Sequence, residues 1–591
     1  MRKILAALLV LAMVLAMVPA VLADEAAVEP VHFTVLISDP GEQPDPDNKI
    51  YKLIEEKLGI TFEFEYVTGN LDESLGLKVT NKDYADIISG GNSADIFVNG
   101  GAMINLLDYI SEEKTPLLWE HIKGSLGRIL EYPDLDGDGV PDMNEDGTFV
   151  GEPVLNIIPN YGLADGAQVI NSISGPAFYL QKQVLEFNGY PQIKTLDEYF
   201  DAIEKFIDAN PTDENGNAYI GFAILCDGWR HFCLINPVQH LMGRPNDGEV
   251  VVDPKAPDYH TETFIDKAYA KPYYKKLNEE FNKGLIERDT FTDGYEANYI
   301  PKLSSGVVLG MFDQAWDFND ATRALNEAKA YDKTYVGLGL TYEASDLEGI
   351  ALPTEDWTIE EHYVNAGVPN IRRGFGISVT CPYPEKVIAM WEEFMKPEWQ
   401  LIFNWGFVDE DYIIEEDGRL NRTQEQIDNA NVSAWQLANT AAAIFGNSPK
   451  RQGTILEDIV LEDGRVVKAG NMWEPGNQPE IVFGQMNEYD KKFLEQYNYS
   501  KFADFVNPPL ELAPWGEAWE LDYTPVKDAN TKFEQIQDAM LPDVIMASPE
   551  EFDAKWDAFV TEISPYAKEF GDYMQQAVIV QAAKFYAAQE D

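Results

Sequence analysis

Residues 31–67 read VHFTVLISDPGEQPDPDNKIYKLIEEKLGITFEFEYV, and three patterns follow one another within them. VHFTVLIS (31–38) is a bounded apolar run rich in β-formers, which predicts a strand. From Asn48 the period changes. Ile50, Leu53, Ile54 and Leu58 recur at the spacing of an amphipathic helix, and Gly59 stops it. ITFEFEYV (60–67) then alternates as a half-buried strand does. Strand, helix and strand in so short a span predict a parallel pair with a crossover helix, the unit of an α/β sheet.

The same alternation recurs along the chain. ADIFVNGG (94–101) reads as a strand, TLDEYFDAIEKFIDA (195–209) as an amphipathic helix and AYIGFAI (218–224) as a strand. VVLGMF (307–312), YVGLGL (335–340) and GFGISVT (374–380) read as further strands, the last running into a helix at EKVIAMWEEFM (385–395). The final third is rich in helix patterns. There is no repeat of fixed period and no low-complexity linker, so the expected fold is α/β with two lobes built from discontinuous segments.

The N-terminus supplies the expected compartment. Arg2 and Lys3 precede an apolar run at 4–18, Pro19 breaks it, and Ala23 is the small residue that signal peptidase needs. We read 1–23 as a secretory signal peptide; the alternative, an uncleaved anchor, suffers from a run shorter than the ~20 residues that span a bilayer. No Cys stands near the cleavage point for a lipid anchor, so the expected location is extracellular, at or near the cell surface. With Arg2 and Lys3 removed, 42 bases face 101 acids, a net charge of −59. Such a surface repels nucleic acid and anionic lipid and favours divalent cations. The three cysteines are too few for a disulfide framework. Cys226 and Cys233 read equally well as a bridge or as free buried thiols.

One stretch turns acidity into chemistry. DLDGDGVPDMNE (134–145) overlays an EF-hand loop, with Asp134, Asp136, Asp138, the Val140 carbonyl, Asp142 and Glu145 at the ligand positions and Gly139 at the sharp turn. Hard oxygen donors without His or Cys suit Ca²⁺; the competing reading is a solvated acidic turn. A helix is expected before the loop (117–130). The exit, DGTFVGEP, is strand-like, so the ion would be a structural staple rather than a sensor. An extracellular module of this kind binds at ~10⁻⁴ to 10⁻³ M.

Four stretches, in order, resemble a known family. SADIF (93–97) before INLLDYI (104–110), GPAFYLQKQVLEFNGYPQIKTLDEYFDAIEKF (175–206), RRGFGISVTCPYPEKVIAMWEEFM (372–395) and EEFDAKWDAFV (550–560) are similar to blocks of the extracellular solute-binding proteins of family 1. These are the receptors of bacterial ABC importers for sugars and oligosaccharides, and the similarity is strongest to the LplA-like and alginate-oligosaccharide-binding subgroup. The resemblance implies a type II periplasmic-binding-protein fold with a hinge and an interlobe cleft. The lobes would be 24–158 with 371–445, and 159–370 with 446–591. It implies an oligosaccharide ligand and permease subunits as partners, with the receptor a monomer. Two departures stand out: the lipobox Cys is missing, and the family's second-lobe calcium loop keeps only Asp213, Asn215 and Asn217. That segment is either a second metal site or an ordinary Asn-Gly turn.

Sugar receptors stack aromatic rings on sugar faces and pair hydroxyls with polar side chains. In open α/β sheets ligands sit beyond the carboxyl ends of strands. FDQAWDFND (312–320) places Trp316 after a strand, with Asp313, Gln314, Asp317 and Asn319 beside it. CDGWRHF (226–232) places Trp229 and Arg230 after another. Arg372 and Arg373 precede the hinge-like GFGISVT. Trp405, Trp473 and Trp515 lie in Gly/Pro-rich loops that we expect to face the cleft. For each Trp the competing reading is core packing, and for the two Arg it is a structural ion pair. Two other classes stay open: a secreted glycosidase or lyase, and a calcium-stabilised surface interaction module. The sequence lacks HExxH, GxSxG and the phosphate-binding GxxxxGK[ST]; the expectation is a binding protein, not an enzyme.

Overall fold

The computed structural model describes residues 30–588, apart from 138–139, 145–146, 247, 365–368, 431, 510–513, 517 and 519–520. The leader, Asp138 and Glu145 therefore lie outside the described residues. The quoted stretch folds as expected. β1 (Val31–Ile37) and β2 (Ile60–Tyr66) pair in parallel from Val31–Ile60 to Ile37–Tyr66, and α1 (Lys49–Leu58) crosses between them. Asn48 caps α1 by accepting from the Ile50 and Tyr51 amides, and Gly59 ends it at φ +67°. The apolar stripe buries Ile50 and Ile54.

β3 (Ile87–Ser89) pairs with the other side of β1. The chain was expected to place a strand at 94–101, but Asp95–Asn99 is a short helix. The two segments, ADIISGG and ADIFVNGG, are near copies. The first is drawn into the sheet because Asp86 accepts from both the amide and the hydroxyl of Thr34 on β1, at 2.9 and 3.0 Å. The second buries Ala94 and Phe97, three apart, which is helical spacing.

The first sheet is completed by β4 (Ile158–Pro159) and has the order β2-β1-β3-β11-β4. The second has the order β10-β5-β9-β6, from β5 (Pro176–Gln181), β6 (Ile220–Ala223), β9 (Val308–Gln314) and β10 (Tyr335–Leu338). A small hairpin, β7 (Val250–Val252) with β8 (Thr261–Thr263), lies outside both. β11 (Gly374–Ile377) returns the chain to the first sheet. Each sheet has its own core. Phe33, Val35, Ile54, Ile87, Phe375 and Trp391 pack around the first; Phe178, Tyr199, Ile203, Phe222, Leu309 and Phe312 pack around the second. All seven residues of β9 are buried, as befits a central strand covered on both faces.

Helices cover the sheets. α2 (Leu196–Ala209) opens with a Thr195–Glu198 capping box and buries Leu196, Tyr199, Phe200, Ile203 and Phe206 along one stripe. α3 (Asn319–Glu327) follows β9, and α4 (Pro384–Phe394) follows β11. α5 (Lys527–Ile545) and α6 (Phe552–Ala587) pack on the second core through Phe533, Phe559 and Ile563. α6 has 36 residues, about 54 Å at 1.5 Å each, and its far end reaches the segment before the acidic loop. There the Arg128 guanidinium lies 4.6 Å from the Phe585 ring centre. Among the described residues no helix is long and apolar enough to cross a membrane.

The return strand depends on a glycine. Gly374 has φ +153°, and a Cβ there would stand 2.0 Å from the Ile158 carbonyl oxygen. Gly374→Ala should cost at least about 1–3 kcal/mol of backbone strain and loosen the β4–β11 pairing. A lowered melting temperature is the expected result; an unchanged one would show that the strand tolerates a side chain.

Candidate functional site

β6 and β9 run parallel, with Phe222 opposite Gly310 and Ala223 opposite Met311. Their carboxyl ends therefore leave the sheet at the same edge, and so do the two segments that the sequence singled out. Beyond β6, a 3₁₀ turn at Gly228–His231 carries Trp229 and Arg230. Beyond β9 comes Trp316. The two indoles are stacked, 5.8 Å between centroids and 8° between planes. At that separation parallel rings are laterally offset, so they form one stepped apolar face. Trp229 is 60% and Trp316 48% exposed. Two large aromatic rings held side by side in water are the kind of exposed apolar patch that marks a binding surface.

Neither ring is free to turn. Phe232 stacks on Trp229 at 5.7 Å. The Arg230 guanidinium lies between Trp229, at 4.4 Å, and Tyr295, at 3.6 Å. Its Nε donates to both carboxylate oxygens of Asp317, at 3.1 and 2.9 Å, and the Tyr295 hydroxyl donates to the Asp317 carbonyl. Trp316 Nε1 donates to Gln314 Oε1 at 2.5 Å. One ion pair thus ties the turn after β6 to the turn after β9.

Beneath the rings lies Asp313, fully buried. Tyr299 donates to it at 2.7 Å and the Cys233 thiol at 3.5 Å. Burial, and next the charge of Asp317, pushes its carboxyl up to about 7. Cys226 and Cys233 are free thiols, which decides between the two readings of that pair.

The other expected residues divide sharply. Asn319 is exposed at the start of α3, next to the platform. Asp313 and Asp317 were expected to meet ligand hydroxyls, and Arg230 to meet ligand. Asp313 is instead core, and Asp317 and Arg230 are committed to each other. Trp405 and Trp473, expected to face the cleft, belong to a core with Leu401, Tyr412 and Ile455. Trp405 has no exposure, and its Nε1 donates to the Met472 carbonyl at 3.2 Å. Trp405 is not in a loop: it ends the helix Pro397–Trp405, which Gly406 caps. Trp515 is buried against Val250 and Met574. Arg372 pairs with Asp95 at 3.1 Å and Arg373 with Asp39 at 3.6 Å.

The sequence reading missed Glu249, Glu534, His231 and Asp538. His231 ends the turn that carries Trp229, and its Nδ1 stands 3.0 Å from Asp538 Oδ1. The legible signal was Glu534 and Asp538 four apart on one helix face. A cavity of about 500 Å³ lies elsewhere, walled by Asp95, Asn99, Arg128, Asp134, Arg372 and Trp515. No platform residue lines it. The platform's aromatic faces are exposed, whereas Trp515 in the cavity wall is buried.

In the acidic loop, carboxylate oxygens of Asp134, Asp136 and Asp142 converge within 4.8 Å of one another, compatible with oxygens around one cation at 2.3–2.6 Å each. Asp134 accepts from the Gly137 amide at 2.7 Å and Asp142 from the Leu135 amide at 2.6 Å, curling the chain inward. The expected entering helix is interrupted into Pro116–Ile122 and Leu126–Ile129. The exit is a hairpin closed by a Met143–Phe149 bridge, with Phe149 stacked on Tyr132 at 4.3 Å. In the second candidate loop Asp213 accepts from the Asn215 and Asn217 amides at 2.9 and 2.8 Å and from the Asn217 side chain at 3.0 Å. That carboxylate is satisfied by its own turn.

No protein-family model matches the chain, and no curated protein matches it by sequence. Solved structures do match in fold. An extracellular solute-binding protein from Bifidobacterium longum subsp. infantis aligns over 94% of this chain and 99% of its own, with TM-score 0.58 and 14% identity. The alginate-binding protein AlgQ2, without calcium ion, aligns over 93% and 98%, with TM-score 0.52 and 14% identity. The Streptococcus pneumoniae ABC-transporter substrate-binding protein FusA, an EF-hand mutant in complex with fructo-nystose, aligns over 95% and 100%, with TM-score 0.52 and 16% identity. Likeness at this identity establishes the fold: two α/β lobes of the solute-binding-protein kind.

The buried acid gives a pH signature. Asp313 ionises near 3.8 when unfolded but about 7 when folded. The folded state therefore holds the extra proton between those values, and the stability this group contributes is lost as pH rises through that window. Melting temperature measured from pH 4 to 8 should fall less in Asp313→Asn than in the wild type. Parallel curves would contradict the assignment.

Proposed function

We propose that this chain is the extracellular receptor of an ABC importer, capturing an oligosaccharide between its lobes and delivering it to a membrane permease. The observation that carries this reading is the Trp229–Trp316 step, exposed and rigid at the carboxyl edge of the second sheet. Sugar rings present apolar C–H faces that stack on such rings. Asn319 is the exposed hydroxyl partner in reach of that edge, and Arg230 and Asp317 hold the rings in place. The fold neighbours are named as binding proteins rather than enzymes, which supports a non-catalytic role. In the same reading 1–23 directs export and the chain acts as a monomer. The lobes are 24–158 with 371–445, and 159–370 with 446–591; the separate sheets and cores support that division.

The loop at 134–145 is our calcium site. Asp134, Asp136 and Asp142 have the convergence to hold the ion, joined in this proposal by Asp138, the Val140 carbonyl and Glu145. Bound there, Ca²⁺ would neutralise the repulsion among the acids and lock the hairpin. Two fold neighbours whose names mention calcium or an EF-hand lend support.

Two outcomes are expected. Trp229→Ala and Trp316→Ala should each weaken oligosaccharide binding by roughly 1–3 kcal/mol, about 5- to 150-fold in Kd, in calorimetric titration, with little change in melting temperature. A large loss of stability at full affinity would make them core residues. EDTA should lower the melting temperature of the wild type but not of Asp134→Ala. No EDTA effect, with no metal found by elemental analysis, would refute the calcium site.

A further inference from the structure

Acids crowd the aromatic step, and the guanidinium packed on it, Arg230, is paired with Asp317. The turn bearing Trp229 begins after Asp227, whose carboxylate accepts from the Tyr295 amide at 2.9 Å. It ends at His231, set against Asp538 at ion-pair distance. Asp538 shares a face of α5 with Glu534, which accepts from Asn530 at 2.9 Å. Glu249 joins them from the loop before β7, and its Oε2 is shut off from water with no hydrogen-bond partner among the described residues. Burial, and then the charges of Glu534 and Asp538, pushes the Glu249 carboxyl up to about 8. Burial pushes Asp538 up to about 6. Burial is the first cause for both acids, and for Glu249 the neighbouring carboxylates come next.

The guanidinium packed on the step is already spent on a carboxylate of the chain itself: Arg230 is held by Asp317. Recognition of a sugar acid needs a guanidinium or ammonium aimed at its carboxylate, and Arg in a bidentate pose is the strong form of that contact. Here the guanidinium shown against the step, Arg230, already has its carboxylate. A sugar acid on the rings would add negative charge beside Asp227, Glu534 and Asp538, with no cation released to meet it.

We infer that the glycan taken by the Trp229–Trp316 step carries no carboxylate or sulfate, and is neutral or bears an amine. This rests on the carbohydrate reading above and narrows it. The alginate-binding fold neighbour is named for a polyuronate; the charge distribution here points to a different ligand class on the same scaffold.

Native mass spectrometry of the mature chain in one equimolar pool tests this. The pool holds neutral oligomers from cellulose, mannan, xylan and fructan, amine-bearing oligomers from chitosan, and uronic oligomers from alginate and polygalacturonate, each of three to six residues. The retained masses should be neutral or amine-bearing, with uronic oligomers at least tenfold weaker. The double variant Glu534→Gln/Asp538→Asn, shown folded by its melting curve, should regain uronic binding by about tenfold. Uronic oligomers retained by the wild type as tightly as neutral ones would overturn the inference and leave the receptor reading standing. A folded variant that still rejects them would overturn the assignment to these carboxylates. No glycan retained from any class would overturn the carbohydrate reading itself, and this inference with it.

Discussion

The Arg230–Asp317 ion pair is the interaction on which the recognition edge depends. Asp317 is almost wholly buried and the Arg230 side chain mostly so. Taking both charges out of water is costly, and such a pair adds little net stability over an apolar substitute. Its value lies in geometry. A planar guanidinium set between Trp229 and Tyr295, with its Nε on both oxygens of Asp317, fixes two loops that share no strand. Removing either partner would leave a buried charge unpaired, at about 3–5 kcal/mol. Because β6 and β9 are parallel neighbours, this one tie suffices to hold the two indoles as a single surface.

Much of this was legible in the sequence, and the reasons are physical. Period and caps were strong where elements are long: β1, α1, β2 and α2 all stand where pattern placed them, and the helix-rich final third holds α5 and α6. Trp229 and Trp316 meet because parallel strands deliver their following residues to one edge. The failures share a cause. Three-residue β3 carries too few residues for a period, and its near copy at 94–101 looked more strand-like. Only the long-range Thr34–Asp86 contact separates the two. Trp405 and Trp473 sit in turn-rich sequence but pack on each other's core, which is a tertiary fact. Asp313 and Asp317 looked like ligand contacts because polar residues beside an aromatic read as a site. Their partners, Tyr299 and Arg230, are 14 and 87 residues away.

The acidity of the chain is resolved in two different ways. At 134–142 carboxylates converge in an exposed loop, the arrangement that a hard divalent cation satisfies. Around Glu249, Glu534 and Asp538 the acids are sheltered, and burial favours their neutral forms. The first suits a staple for the chain. The second sets a cluster of sheltered carboxyl groups beside the turn that carries Trp229. The long helix α6 packs on the second core and meets Arg128 at its far end.

The central claim is that the stepped indole pair is where ligand lands. A crystal structure of the mature chain with the tightest-binding oligosaccharide tests it most directly. The account predicts one sugar ring lying face-on to Trp229 or Trp316, its carbons at the roughly 3.5–4.0 Å of van der Waals contact, with the Arg230–Asp317 pair intact beneath. Sugar density confined to the cavity between Asp95, Arg128 and Trp515, with both indoles bare, would contradict it.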